Sequence, residues 1–213
     1  MKKKFYILLF AVMVSFAANA QRFEYQMGLK GALGFDWAGN VSDEIKSTDN
    51  GFCYKYGFTA MYYFGENYGI TSGFNILGSK FSFKYDKELT GEQHNREMQE
   101  FEAKYKMTYF QIPVLLKMRT DPFADKYRFV GEIGYGFDIL ANGEYKVNDV
   151  KDTHPFRDVC SSFIVHLGLE VEVMNRSTLQ FILAYDTFFS SIQSMKNDKL
   201  TMSNLCFELG FLF

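Results

Sequence analysis

Proline is scarce, three in 213 residues, so little in this chain interrupts a long strand. Cysteine is scarce too: Cys53, Cys160 and Cys206 are an odd number without metal-ligand spacing. One disulfide among them is possible but sequence does not assign it, and three unpaired thiols is the favoured reading. Beyond Ala20 no apolar run reaches the 18 or so residues of a spanning helix, which excludes helical membrane crossing. There is no glycine-rich phosphate loop, zinc spacing or paired-carboxylate motif, so neither cofactor nor metal is implied. A formal charge of −2, with no basic patch interleaved with aromatics, argues against nucleic acid as a partner.

What the chain has in abundance is aromatic surface: 24 Phe and 14 Tyr, with all aromatics at 18%. The first twenty residues read as an export address. "MKKK" is a charged start, "FYILLFAVMVSFA" an apolar stretch too short to span a bilayer, and "ANA" (18–20) a small-residue cleavage site. The expected organisation is therefore a signal peptide over 1–20 and one domain over 21–213.

In that domain the hydrophobic period is two. The alternation predicts eight strands near 24–37, 52–64, 68–84, 104–119, 127–145, 158–174, 177–189 and 200–213. Tyr25, Met27, Leu29, Leu33, Phe35 and Trp37 share one face of the first strand, and Gln26, Lys30 and Asp36 the other. The third strand loses phase near "LGSKF", which predicts a bulge at Gly78 or Ser79. Pro113 predicts a bulge, or a carbonyl satisfied by water, in the fourth.

Connections alternate between short (65–67, 120–126, 175–177) and long and polar (38–51, 85–103, 146–157, 190–199). Strands of 12 or more residues exceed the five or six usual in soluble sheets. Aromatics sit near strand ends, at Tyr25, Trp37, Phe52, Phe64, Tyr127, Phe189 and Phe213. Together these imply an all-β, eight-stranded, antiparallel up-and-down transmembrane barrel with short periplasmic turns and longer extracellular loops. The terminal "LTMSNLCFELGFLF" alternates to its last residue. In a closed barrel that strand pairs with the first and turns its greasy face to lipid.

Several segments resemble the PorT-like outer-membrane β-barrel family of Bacteroidota. "MGLKGALGFDW" (27–37) is similar to its opening strand, and "YFQIPVLLKMR" (109–119) to its fourth, with Ile112-Pro113. "GEIGYGFDILANGEYK" (131–146) and the C-terminal strand fit as well. The C-terminus also resembles the assembly signal of bacterial outer-membrane proteins. The resemblance implies a barrel in the bacterial outer membrane, inserted by the barrel-assembly machinery, and offers no catalytic residues. One member of the family acts in protein secretion.

With the apolar set facing lipid, the opposite phase fills the lumen: Lys30, Lys55, Lys117 and Arg128 with Asp36, Glu132, Asp138, Glu170, Glu172, Asp186 and Glu208. His166 belongs to the same face. An eight-stranded interior is just wide enough for side chains to fill, so a charge network plugging the barrel is expected. Lys30 and Glu208 are placed to pair across the closure seam, and Arg128 and Glu172 near the periplasmic rim. A lipid hydrolase would need His154 or His166 against Ser161 or Ser162. Phase argues against it, with His154 and both serines placed at or above the rim. The segment 85–103, with Met98 and Phe101 at helical spacing, reads as a contact for an envelope protein partner or as strands continuing into water. The leading function is a non-enzymatic outer-membrane barrel, structural or part of an envelope or secretion assembly. The alternatives are an ion or solute conduit or ligand-binding barrel, and, third, a soluble exported lipocalin-like binder.

Overall fold

The computed structural model describes residues 24–39, 45–89, 97–147, 150–152, 156–174, 177–192 and 201–213. The expected signal peptide, His94 and His154 lie outside them. Nine strands follow in order: β1 (Glu24–Gly39), β2 (Ile45–Tyr63), β3 (Tyr68–Leu89), β4 (Glu97–Arg119), β5 (Tyr127–Val147), β6 (Val150–Asp152), β7 (Val159–Met174), β8 (Ser177–Phe188) and β9 (Thr201–Leu212). Eight of them close a ring of antiparallel neighbours, in which β4 pairs β5 and β9 returns to β1. The three-residue β6 only folds back on the end of β5, outside the ring.

The register measures the closure. Met27 pairs with Ala60, Ala60 with Ser72, Ser72 with Val114 and Val114 with Tyr135. Tyr135 then pairs with Phe163, Phe163 with Thr187 and Thr187 with Ser203, which pairs with Trp37. One circuit thus returns to β1 ten residues along. Ten residues of about 3.3 Å against eight spacings of about 4.8 Å tilt the strands by about 40°, within the range barrels adopt.

Alternation assigns the two surfaces. Tyr25, Leu29, Leu33, Phe35, Tyr56, Phe129, Tyr135, Leu183 and Phe207 point outward and are exposed, Tyr25 at 67%. The intervening positions of the same strands are buried. A tilted strand of this kind crosses a bilayer in about 9–11 residues. At the turn end, aromatic pairs ring the wall: Tyr25 with Tyr62 (5.1 Å between centroids) and Phe123 with Phe129 (4.9 Å). At the loop end Trp37 stacks on Tyr185 at 6.1 Å. A further outward row, Phe58, Phe74 and Phe110, stacks between these levels and belongs to neither girdle.

The strand that loses hydrophobic phase does not bulge. β3 keeps its inward positions Asn75, Leu77, Ser79 and Phe81 buried in unbroken register with β4. The irregularity lies on β2 instead, between Asp49 and Phe52 opposite Ser82 and Lys80. Hydrophobicity changes sides because the loop end of the interior is apolar while the outward face turns charged at Lys80 and Lys106. Gly78 is covered from outside by the ring of Tyr54, which a Cβ there would meet at 2.2 Å.

Pro113 causes no bulge either. It keeps its register place opposite Gly136, and the hydroxyl of Ser72 donates to its carbonyl at 2.9 Å. The β4–β5 irregularity falls at Thr108–Tyr109. β3 and β4 continue pairing as far as Leu89 with Glu97, so most of the expected loop 85–103 is strand. Met98 and Phe101 lie on β4 opposite Glu88 and Tyr85, not on a helix.

Candidate functional site

The interior is where this chain gathers its chemistry. Among the described residues, Lys30, Lys55, Lys117, Asp36, Glu132, Asp138, His166, Glu170, Asp186 and Glu208 are all buried in the lumen. Each occupies the inward phase of its strand, so strand alternation alone delivers it there. In that setting a charge is tolerable only when paired and hydrogen-bonded.

Two ion pairs tie non-adjacent walls together. Lys55 on β2 reaches Asp186 on β8 at 2.5 Å, and Lys117 on β4 reaches Glu170 on β7 at 2.5 Å. Lys117 also lies 3.4 Å from Glu132, its register partner on β5. At the seam Lys30 on β1 meets Glu208 on β9 at 3.3 Å, the pair expected from their depth. His166 contacts Glu132 through Nδ1 at 2.9 Å, and its Nε2 stands 3.9 Å from Asp186.

Neutral side chains extend the Lys55–Asp186 and Lys117–Glu170 pairs into hydrogen-bonded groups. Thr71 donates to Glu132 at 2.9 Å and Gln180 to Glu170 at 2.7 Å. Gln111 donates to Asp186 at 3.2 Å and accepts from Asn75 at 3.0 Å, while Ser162 donates to Asp138 at 2.7 Å. A list of charges alone passes over these five residues. Their inward phase on β3, β4, β7 and β8 is the signal that finds them.

Apolar clusters close both ends of the net. Toward the loop end, Leu77, Phe81, Tyr105, Met107, Tyr109, Phe188 and Met202 are buried together, with Phe156 packed on them. Toward the turn end, Met61, Tyr63 and Leu212 pack together, and the Arg119 guanidinium lies 3.9 Å from the centre of the Tyr63 ring.

Two expected lumen members stay outside. Glu172 is exposed at the turn end and Arg128 is only half-buried, and no ion pair joins them among the described residues. At this rim both side chains reach water, where pairing gains little. The placement of Ser162 at or above the rim also needs correcting. Ser162 is buried in the lumen on the face that carries His166. It is bonded to Asp138 and Gln111, whereas His166 is engaged by Glu132, so no serine–histidine couple exists there. Among the described residues no three His, Cys, Asp or Glu side chains are arranged to hold a metal ion.

An apolar outer wall around a polar interior filled by side chains, closed by eight strands, defines an integral β-barrel of the outer-membrane kind. The sequence matches the family of outer membrane proteins with a "beta-barrel domain" over residues 9–210, and the chain belongs to it. Its location is therefore the bacterial outer membrane. No curated protein matches it. Solved barrels of similar fold include Ail, the attachment invasion locus protein of Yersinia pestis, at 13% identity, covering 89% of this chain and 99% of that one with a TM-score of 0.42. Neisserial surface protein A is similar at 10% identity, with 89% and 98% covered and a TM-score of 0.46. The outer membrane protein OprG from Pseudomonas aeruginosa is similar at 10%, with 89% and 95% covered and a TM-score of 0.42.

Proposed function

We propose that this protein is a non-enzymatic, plugged outer-membrane barrel that acts through its loop end, as a structural element or as one component of an envelope assembly such as secretion. Residues 1–20 serve as the export signal, the short turns face the periplasm, and the tall β3–β4 hairpin stands outside the cell. The PorT-like segments quoted above favour an origin in Bacteroidota and a place among the envelope proteins of that group. The observation that carries this reading is the cross-lumen net of Lys55–Asp186 and Lys117–Glu170, with apolar clusters at either end. Such an interior commits each of its described lysines to a carboxylate and leaves the loops as the part free to recognise anything.

The test has two readings on one preparation. Reconstituted in planar bilayers, the purified barrel is expected to be electrically silent. A photo-crosslinker at Met98 or Phe101, followed by mild-detergent purification from native outer membranes, is expected to capture a stoichiometric envelope protein, and deleting residues 90–96 should abolish capture. Conductance steps that change in Glu132→Gln or Glu170→Gln would replace this reading with a conduit. The observation favouring that second reading is the imbalance of buried charge among the described residues, six carboxylates against three lysines, which suits cations.

A further inference from the structure

We propose that the outward wall at the loop end of β3, β4 and β5 binds the phosphate groups of an outer-leaflet glycolipid of the lipopolysaccharide type. Among the described residues this wall presents Lys80, Lys104, Lys106 and Lys146, which line one open groove of about 320 Å³ together with Gly51, Ser82 and Glu144. Three strands assemble the patch, so no single segment of the chain reads as basic. The intervening Phe81, Tyr105 and Tyr145 are buried in the barrel, which leaves the lysines on its outside.

The register sets like charges face to face. Lys80 on β3 is opposite Lys106 on β4, and Lys104 is opposite Lys146 on β5, which is in turn opposite Lys151 on β6. Like charges directly opposite one another destabilise a sheet unless something neutralises them. Glu144, opposite Lys106 and 3.6 Å from Lys146, is the one carboxylate among the described residues that line the groove. It leaves the groove strongly positive. Farther along the hairpin the outward register pairs are Lys84 with Glu102 and then Asp86 with Glu100, so the excess is confined to one level.

That level selects a lipid over a dissolved ion. On β3 the outward positions from Tyr68 to Gly78 are uncharged and Lys80 comes next. On β4 the outward positions from Met118 to Thr108 are uncharged and Lys106 comes next. A tilted strand crosses hydrocarbon in about 9–11 residues, so both lysines stand where headgroups begin. Below them Phe110 stacks on Phe74 at 5.8 Å and Phe74 on Phe58 at 6.0 Å, a wall against which acyl chains can lie. Phe52, in register with Lys80, and Tyr54, over Gly78, flank the groove. At the same end of β1, β7, β8 and β9 the outward residues Trp37, Phe163, Tyr185 and Leu205 carry no charge, so the basic patch occupies one side of the barrel. Clustered ammonium groups at headgroup depth suit a phosphate, each offering a point charge and rotatable donors.

The proposal rests on the reading that places the loop end outside the cell. An epitope inserted within residues 90–96 tests that orientation separately, and antibody is expected to bind it on intact cells. For the site itself, the full-length barrel refolded in detergent is titrated with diphosphoryl lipid A, with the same lipid dephosphorylated, and with the phosphorylated sugar lacking acyl chains, bound lipid being counted by native mass spectrometry. The intact phosphorylated lipid is expected to bind tightest. Lys80→Gln/Lys106→Gln should weaken it about 25-fold, roughly a factor of five for each lysine brought to an anionic surface, as should Lys104→Gln/Lys146→Gln. Lys126→Gln at the turn end should leave it unchanged. All four lysines are at least partly exposed, and each variant is assayed as heat-modifiable, folded barrel. Equal binding of the two lipids, unchanged binding in both double variants, or tight binding of the sugar alone overturns the site. Loss of antibody binding overturns the orientation, and with it the outer leaflet as the source of the lipid.

Discussion

Lys117 carries more of this interior than any other single side chain. It is fully buried between Glu170 and Glu132, with the sulfur of Met61 at 3.2 Å. Lys117→Met removes one cation and strands two carboxylates, which costs about 3–5 kcal/mol when a buried pair loses one partner. The expected outcome is a large drop in the urea midpoint of the refolded barrel in detergent. Adding Glu170→Gln should recover part of the loss, since the two sites are coupled. The opposite case is Ala124, at φ 47° in the exposed β4–β5 turn beside Asp125 at φ 62°. Left-handed backbone suits glycine better than alanine, so Ala124→Gly is expected to raise the midpoint by about 1 kcal/mol in the same titration. At this scale the sequence was legible wherever a charge fell on the inward phase, as at Lys55 or Asp186. Lys30 and Glu208, on neighbouring strands, were legible as a pair from their depth, but Lys55 and Asp186 were not, because they meet across the lumen from strands that are not neighbours.

Among the elements, β9 shows how a terminal strand gains its partners. Phe213, just beyond β9, exchanges two backbone hydrogen bonds with Met27: Phe213 N donates at 2.7 Å and Met27 N donates back at 3.1 Å. Deleting Phe213 removes both, at about 1 kcal/mol each, and exposes the end of β1. The expected result is a lower fraction of heat-modifiable, folded barrel on SDS gels after refolding, with Phe213→Ala intermediate because its backbone remains. All eight ring strands were readable from alternation to within a few residues at most ends, since one face of each is apolar for most of its length. β3 was misread near Gly78 because hydrophobicity there tracks the change from lipid to water outside and from polar net to apolar plug inside. The backbone passes straight through that change. β6 was missed because strand that stands in water carries no lipid-facing alternation to mark it, and the upward run of β3 and β4 answers to the reading in which those strands continue into water.

Over the whole molecule, the sidedness decides between solvents. A lipocalin-like barrel would hold its apolar residues inside and show its charges to water. Here Phe35, Tyr56, Leu183 and Phe207 face out while Lys55, Lys117 and Asp186 are enclosed. The protein is therefore expected to remain in the membrane pellet through a carbonate wash at high pH. Recovery in the wash would contradict a lipid-facing wall. Fold class was readable because a dyad pattern sustained over eight segments, with long and short connections alternating, has few other solutions. The activity at the loop end was not, since recognition by loops follows no comparable period.

The ten-residue offset gives the seam contacts a keying role. If β9 slid one residue along β1, its aromatics would turn into the lumen, and alternation forbids that. A slide of two residues would leave every face correct, so greasiness alone is blind to it. Such a slip would pull Glu208 away from Lys30 and move the Cys206 thiol off the bare backbone of Gly34, away from the Cys53 thiol. These few contacts work as the teeth of a key. They distinguish the one closure that fits from its near-misses, in a step that the hydrophobic effect can drive but cannot proofread.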